Sequence, residues 1–376
     1  MDVMETERIT IDPANIDTGR IKRAAEMIDS GALVAFPTET VYGIACRVQS
    51  DFLARLSQLK DRTAEKYYTL HIAQAGDVEQ YVPAMPINTK KLIQNAWPGP
   101  LTIVFELKKT DLDRQREKLD IDVFENLYKD DSIGIRCPDH PVAAMLLQNA
   151  AHPVVAPSGN RTGEKPSIQG DQVFDRFSGQ IEMVLDAGQT RYGINSTVVK
   201  MGKKGLEILR PGVWAEEYIR DWSRVHFLFV CTGNTCRSPM AEGLFKKYLA
   251  EKLQVNIDEI DRIGYKIDSA GMVGTVGFPA SPQAVIACTA KRVDIGTHRN
   301  KGLTRELIEK SDFIYVMESI HYQRVVAIAP GAANRCMLLD ENGLIPDPIG
   351  QPQSFYDSCA DQIENAVKKR ISELDL

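Results

Sequence analysis

No apolar run in the 376-residue chain approaches the ~20 residues that a membrane-spanning helix needs. The segment from Met1 to Ile11 is acidic and lacks an apolar centre, so it does not read as a signal peptide. Seven irregularly spaced cysteines offer no disulfide framework, and the expectation is a reducing, cytoplasmic setting away from any membrane. An excess of positive charge is also missing. The formal net charge is −6, with 26 Lys and Arg against 29 Asp and Glu in residues 1–212 and 19 against 22 in the remainder. That balance argues against stable binding of a nucleic-acid backbone as the default role. Small anions held by a few placed cations fit it, and direct nucleic-acid binding is left open. Internal repeats, low-complexity tracts, a Walker loop and a Gly-rich dinucleotide fingerprint are absent as well, which removes solenoids and the commonest nucleotide-binding signatures.

What the chain does have is length and rhythm. Hydrophobic residues at 43% and charged residues at 26% suffice for ordinary cores, and 376 residues favour two or three domains. Short apolar runs alternate with longer amphipathic stretches, which predicts an α/β fold. Strands are expected at residues 33–36, 101–105, 133–135, 154–156, 183–185 and 197–199. Helices are expected at 20–30, 52–60, 90–96 and 142–149. The densely charged stretch 108–131 reads as a solvated excursion between two strands. Arg210-Pro211-Gly212 closes the first pattern, and a new strand opens at Val225. The organisation expected is a domain at 1–212, a short connection at 213–224 carrying Trp214 and Trp222, and a second domain at 225–376. That connection is too short and too aromatic for a free linker.

The second domain opens on an apolar strand that delivers Cys231 to a loop of Thr232, Gly233, Asn234, Thr235 and Cys236, followed by Arg237, Ser238 and Pro239. Gly233 and Asn234 tolerate positive φ, and Ser-Pro suits the first turn of a helix. Such a loop turns successive backbone N–H groups inward beside the positive end of a helix, which makes an anion site. A thiol there, next to a guanidinium, is expected to lose its proton well below ~8.5. Arg237 suits two phosphate oxygens, and Ser238 is placed to donate to the sulfur. Asp347, on the loop Ile345-Pro346-Asp347-Pro348, is the candidate proton donor. A zinc site at Cys231 and Cys236 fails for want of a second ligand pair, so no metal is assigned.

These residues resemble the low-molecular-weight protein tyrosine phosphatase family: Cys-x5-Arg-Ser at Cys231, Arg237 and Ser238, Asp268-Ser269-Ala270-Gly271, and a late Asp347-Pro348. The resemblance covers Val225 to about Leu374. It implies a doubly wound parallel sheet and no cofactor. It further implies a phosphocysteine at Cys231, Arg237 stabilising the transferring phosphoryl group, and Asp347 acting first as acid and then as base. It also implies that Cys236 protects Cys231 through a reversible disulfide, although the residues alone equally allow Cys236 simply to line the loop. Thr235 and the Ile349-Gly350 pair resemble the protein arginine phosphatase branch, so phosphoarginine and phosphotyrosine both stand as substrates. Arsenate reduction would use the same cradle, but Cys288, Cys336 and Cys359 are isolated from one another and give no resolving pair.

In residues 1–212, polar groups follow the expected strands: Pro37-Thr38-Glu39-Thr40, Arg136, and Ser158-Gly159-Asn160. Ligands gather beyond strand ends in open α/β sheets. Eight blocks, among them Pro37-Thr-Glu-Thr-Val-Tyr-Gly43, Lys60-Asp-Arg62, Leu70-His71-Ile72 and Leu209-Arg210-Pro-Gly212, are similar to YrdC-type threonylcarbamoyl-AMP synthases and occur in the same order. The resemblance implies a twisted α/β sheet that condenses L-threonine, bicarbonate and ATP, with magnesium expected on the phosphates. The adenylate would pass to downstream tRNA-modifying transferase proteins. Carried over by position, Thr38 or Thr40, His71, Arg136 and Ser196 would contact threonine. Lys60, Arg62, Lys66, Ser132, Ser158, Asn160, Ser167 and Arg210 would surround ATP. The rival is a non-catalytic module that binds RNA in the same cleft.

Overall fold

The computed structural model describes residues 4–61, 67–274 and 276–376. It divides into two compact units: Met1–Met85 with Thr89–Trp222, and Pro86–Asn88 with Ser223–Leu376.

In chain order, the elements before the second sheet begin with β1 (Glu7–Thr10), α1 (Thr18–Asp29), β2 (Val34–Phe36), β3 (Gly43–Arg47), α2 (Ser50–Leu59), β4 (Thr69–His71), α3 (Ile87–Ala96) and β5 (Leu101–Glu106). There follow α4 (Lys109–Lys118), α5 (Ile121–Leu127), β6 (Ser132–Arg136), α6 (Pro141–Asn149), β7 (Val154–Val155), α7 (Gly170–Phe177), β8 (Met183–Asp186), β9 (Thr197–Gly202), β10 (Gly205–Arg210) and α8 (Glu216–Ser223). The strands form one ten-stranded sheet in the order β1-β8-β2-β3-β7-β4-β6-β5-β9-β10, mixing parallel and antiparallel neighbours. Helix boundaries follow local chemistry. The Asp17 carboxylate accepts the Gly19 and Arg20 amides ahead of α1, and His140 Nδ1 accepts the Val142 amide above Pro141 at the start of α6. Two apolar clusters cover the sheet, one with Leu33, Tyr42, Leu56, Ile103 and Ile135, the other with Ile21, Ile28, Phe36 and Leu146.

The charged stretch 108–131 is not the solvated excursion its composition suggests. It folds into α4 and α5, and Asp111, Gln115, Val123, Phe124, Leu127 and Tyr128 are buried. Phe124 stacks on Tyr128 at 4.8 Å, so a handful of apolar residues anchors helices whose other faces carry the charge. The connection 213–224 is also structured. It holds most of α8, and the Trp214 and Trp222 rings meet edge to face at 4.7 Å.

The second unit is a four-stranded parallel sheet in the order β12-β11-β13-β14, from β11 (Val225–Cys231), β12 (Tyr265–Gly271), β13 (Phe313–Val316) and β14 (Cys336–Leu338). Around it run α9 (Arg237–Leu253), α10 (Pro282–Ala290), α11 (Arg305–Lys310), α12 (Ser319–Ile328) and α13 (Gln353–Ser372). β11 is apolar at nearly every position because it is paired on both edges and covered on both faces, as central parallel strands are. Its carboxyl end, beside those of β12 and β13, is where an open parallel sheet presents a binding crevice.

Candidate active sites

In the second unit the chain leaves β11 at Cys231, turns through Asn234 at φ 55°, and enters α9 at Arg237. Gly271, at the end of β12, backs this turn so closely that an added Cβ would fall 2.9 Å from the Gly233 carbonyl carbon and 3.0 Å from the Asn234 nitrogen. Only a glycine leaves the loop room there. Asn234 organises the interior. Its Oδ1 accepts the Lys301 amide at 2.9 Å, which fixes its Nδ2 as a donor to Ser238 Oγ and Ser269 Oγ, each at 2.8 Å. Ser269 then donates to Glu242 at 2.6 Å. Ser238 Oγ, already accepting from Asn234, directs its proton to Cys231 Sγ at 3.0 Å, and the Asn234 amide donates to the same sulfur at 3.3 Å. His298 Nε2 and Asn300 Nδ2 hold the loop from outside through the carbonyls of Asn234 (2.9 Å) and Gly233 (3.2 Å).

Arg237 lies beneath, 1% exposed. Its Nη1 donates to Glu318 and to the Ile345 carbonyl at 2.9 Å. Its Nη2 donates to Asp347 and to Thr232 Oγ1 at 3.2 Å, and its Nε is buried with no partner. The expected lowering of the Cys231 thiol is not what this arrangement gives. Burial pushes the thiol up, against the pull of Ser238, Arg237 and the Asn234 amide. The reason is physical: two carboxylates already share the Arg237 charge, and the sulfur is shut away from water. Asp347 here is a partner of Arg237, with its other oxygen accepting the Ile349 amide. Cys236 sits among hydroxyls, 3.3 Å from Ser281 and 3.7 Å from Tyr356 and from Thr235, and all seven cysteines are free thiols.

In the first unit the site is assembled from separate strands. Register sets His71 of β4 and Thr102 of β5 on either side of Arg136 of β6. Arg136 Nη2 donates to Glu39 at 2.8 Å, to Thr40 Oγ1 at 2.7 Å and to Thr38 Oγ1 at 3.4 Å, while its Nε is buried and unpartnered. Glu39, 1% exposed, uses its other oxygen on the Asp139 amide at 3.1 Å. His71 Nδ1 donates to the Thr69 carbonyl at 3.1 Å, which leaves Nε2 as an acceptor. Burial, and then Arg136, hold its pKa down to about 3, so the ring is neutral. Ser196 Oγ meets Thr102 Oγ1 at 3.0 Å, and Arg210 Nη2 donates to the Ser196 carbonyl and hydroxyl.

The Ser158–Asn160 loop lies alongside, joined through the Gly159 amide to the Tyr42 carbonyl at 2.6 Å. The Lys60 ammonium, deep under this loop, bonds the carbonyls of Ser158 and Asn160. Asn160 Oδ1 is buried with no partner, and Ser167 Oγ donates to the Gly159 carbonyl while accepting from Arg176. Ser132 is not part of this group. It stands at the opposite end of β6 from Arg136, its hydroxyl on the Lys129 carbonyl at 2.9 Å. Arg62 and Lys66 lie outside the described residues.

Each unit matches a known family. The family model described as "Telomere recombination" (Sua5_yciO_yrdC) matches residues 26–212, and that described as "Low molecular weight phosphotyrosine protein phosphatase" matches residues 226–375. A threonylcarbamoyl-AMP synthase of Pyrococcus abyssi is 30% identical over 293 residues, covering 74% of this chain and 83% of that one. The low molecular weight protein-tyrosine-phosphatase Etp of Escherichia coli is 35% identical over 151 residues, 39% of this chain and 93% of its own length. The chain belongs to both families, one in each unit. A solved structure of P. abyssi Sua5 matches with a TM-score of 0.51 at 24% identity, over 71% of this chain and 91% of that one, a likeness of fold.

Several residues at these sites carry no signature of their own in the sequence. Glu39 lay inside a recognised block, but its bond to Arg136 spans 97 residues. Arg176, Glu318 and His321 belong to no motif. Among the described residues no helix is long and apolar enough to cross a membrane.

Proposed function

We propose that the chain is a bifunctional enzyme: a synthase of threonylcarbamoyl-AMP in its first unit and a cysteine-dependent protein phosphatase in its second. For the phosphatase the supporting observation is Cys231 Sγ, held by the Ser238 hydroxyl and the Asn234 amide above a buried Arg237. The thiolate attacks phosphorus, the P–O or P–N bond to the leaving group breaks, and Asp347 gives that group its proton. Water, deprotonated by Asp347, then releases phosphate from the phosphocysteine. An incoming phosphoryl group displaces Asp347 from Arg237 Nη2, and the Nε–Nη2 edge takes two of its oxygens. The same event frees Asp347 from Arg237 to serve as acid, and the phosphate dianion is the base that takes the Cys231 proton as the thiolate forms. Cys231→Ser is expected to abolish aryl phosphate hydrolysis, a loss of order 10⁵–10⁶ in kcat, without moving the thermal midpoint. Residual turnover within about tenfold of wild type would rule Cys231 out as nucleophile.

Phosphoarginine is the favoured substrate, on the hydroxyl that Thr235 offers at the loop. Paired phosphoarginine and phosphotyrosine peptides measure the preference. Thr235→Ile is expected to shift it toward phosphotyrosine, and an unchanged ratio defeats the argument from Thr235.

For the synthase the supporting observation is the set formed by Arg136, a neutral His71, Thr40 and Ser196, which offers a cation and hydrogen-bond partners of the kind an amino acid needs. Arg136 takes the carboxylate of L-threonine. Bicarbonate and the amine form a carbamate with loss of water, and the carbamate oxygen attacks the α-phosphorus of ATP and expels pyrophosphate. Lys60 and Asn160 shape the ATP loop, and the site's contribution is mainly alignment and charge neutralisation. Magnesium is expected on the triphosphate. Among the described residues no group of three or more His, Cys, Asp or Glu side chains gathers to hold a metal, and the ion would be carried by the nucleotide's own phosphates. Threonine-dependent pyrophosphate release from ATP separates this reading from a binding module, which would release none.

A further inference from the structure

His321 is fully buried and takes no part in the chemistry above, yet both of its ring nitrogens are engaged at the phosphatase loop. Its Nδ1 faces the Glu318 amide at 3.0 Å, and an amide only donates, so Nδ1 carries the lone pair. The neutral ring therefore bears its proton on Nε2, which lies 3.0 Å from Thr232 Oγ1 and donates to it. Thr232 Oγ1 also accepts from Arg237 Nη2 at 3.2 Å. A hydroxyl has two acceptor lone pairs and one proton. Both acceptor positions of Thr232 are filled from the protein side, by Arg237 and by His321, and its O–H is left to donate.

We propose that His321 is a positioning residue that turns the Thr232 hydroxyl proton toward the bound anion, making Thr232 a further donor to the phosphoryl group. This rests on the phosphatase reading of the loop. Thr232 sits directly after Cys231, on the Nη2 side of Arg237 that Asp347 occupies. Its hydroxyl adds one neutral donor to the ring of amides without adding charge. His321 makes the donor available before substrate arrives, and such preorganisation is what lets a single hydrogen bond matter to an anion.

Binding of inorganic phosphate to the full-length chain tests this, alongside aryl phosphate hydrolysis. Thr232→Val is expected to weaken phosphate binding roughly 10-fold or more, while Thr232→Ser stays within about 3-fold of wild type. His321→Leu should match the loss in Thr232→Val. His321→Gln should recover part of it, because its carbonyl can accept the Glu318 amide while its N–H donates to Thr232. The double variant Thr232→Val/His321→Leu should bind no more weakly than Thr232→Val alone, since both remove one interaction. Multiplying losses in the double variant, or wild-type affinity in His321→Leu, overturns the proposal. If His321→Leu fails to fold, His321→Gln decides: affinity as poor as that of Thr232→Val overturns it. A wild-type chain that binds phosphate but turns over no aryl phosphate defeats the phosphatase reading alone, and the variants' affinities still judge His321.

Discussion

Arg136 and Arg237 are both buried guanidinium groups with an unpartnered Nε, yet the two units hold them in opposite ways. Arg136 is clamped by Glu39, which is as inaccessible as the arginine and is itself pinned to the Asp139 amide. Arg237 faces Glu318 and Asp347, whose side chains are 30% and 34% exposed. A carboxylate sealed in with its partner cannot leave without exposing an unpaired charge to a low-dielectric interior. One at the surface can exchange its partner for water at little cost. The first arrangement suits a cation that must hold a fixed direction for a carboxylate ligand. The second suits a cation that must be handed to a phosphoryl group as its resting partner turns acid.

Cutting the two clamps is the most direct way to break this comparison. Glu39→Ala leaves Arg136 buried without its counter-ion and is expected to cost roughly 3–5 kcal/mol of stability in the first unit. Glu318→Ala leaves Arg237 still bonded to Asp347 and the Ile345 carbonyl, and is expected to cost about 1 kcal/mol or less. The three tryptophans, Trp97, Trp214 and Trp222, all lie in the first unit, so urea unfolding followed by their fluorescence isolates the Glu39 effect. Loss of aryl phosphate hydrolysis along the same urea series follows the second unit. Equal costs for the two substitutions would show that both arginines are held alike.

The buried histidines sharpen the comparison at a smaller scale. Burial, with Arg136 and Arg237 respectively as the next cause, lowers His71 to about 3 and His321 to about 4 from the ordinary 6.5. Because the folded value is depressed, the unfolded chain binds the proton more readily. Stability from each group is therefore full above about pH 6.5 and is lost as the pH falls toward the folded value. By pH 5 each histidine should have cost its unit about 2 kcal/mol. His71→Gln should flatten the pH 5–7 slope of the tryptophan-detected transition, and His321→Gln should leave that slope alone. A His71→Gln slope equal to wild type would mean that the ring meets water.

How much could be read beforehand follows the same division. The phosphatase loop is contiguous. Strand, Cys231, positive-φ turn, Arg237 and Ser238 fall within the fourteen residues 225–238, and local chemistry fixes local shape, so the sequence sufficed to find them. What surrounds Arg237 comes from positions 81 and 110 residues away, and no periodicity marks Glu318 or His321. In the first unit nearly everything is of this distant kind. The strand ends were visible, but the partners that β6 brings to Arg136 depend on register across β4 and β5. The charged stretch 108–131 misled for a related reason: most of its residues are solvated, and the few apolar ones that anchor α4 and α5 are a minority in any count.

Ser132 supplies the smallest expected effect and a test of what position alone can carry. Matched to ATP by order in the sequence, it stands four residues before Arg136 along an extended strand, roughly 13 Å away at ~3.3 Å per residue. Its amide and hydroxyl both close on the Lys129 carbonyl, so the side chain serves its own turn. Ser132→Ala is therefore expected to change stability by no more than about 0.5 kcal/mol and to leave the KM for ATP within about 2-fold. Titration of ATP against pyrophosphate release reads this directly. A rise of 10-fold or more would mean that the Lys129–Ser132 turn opens to meet the nucleotide, and that the ATP site extends along the whole of β6 and not only past its Arg136 end.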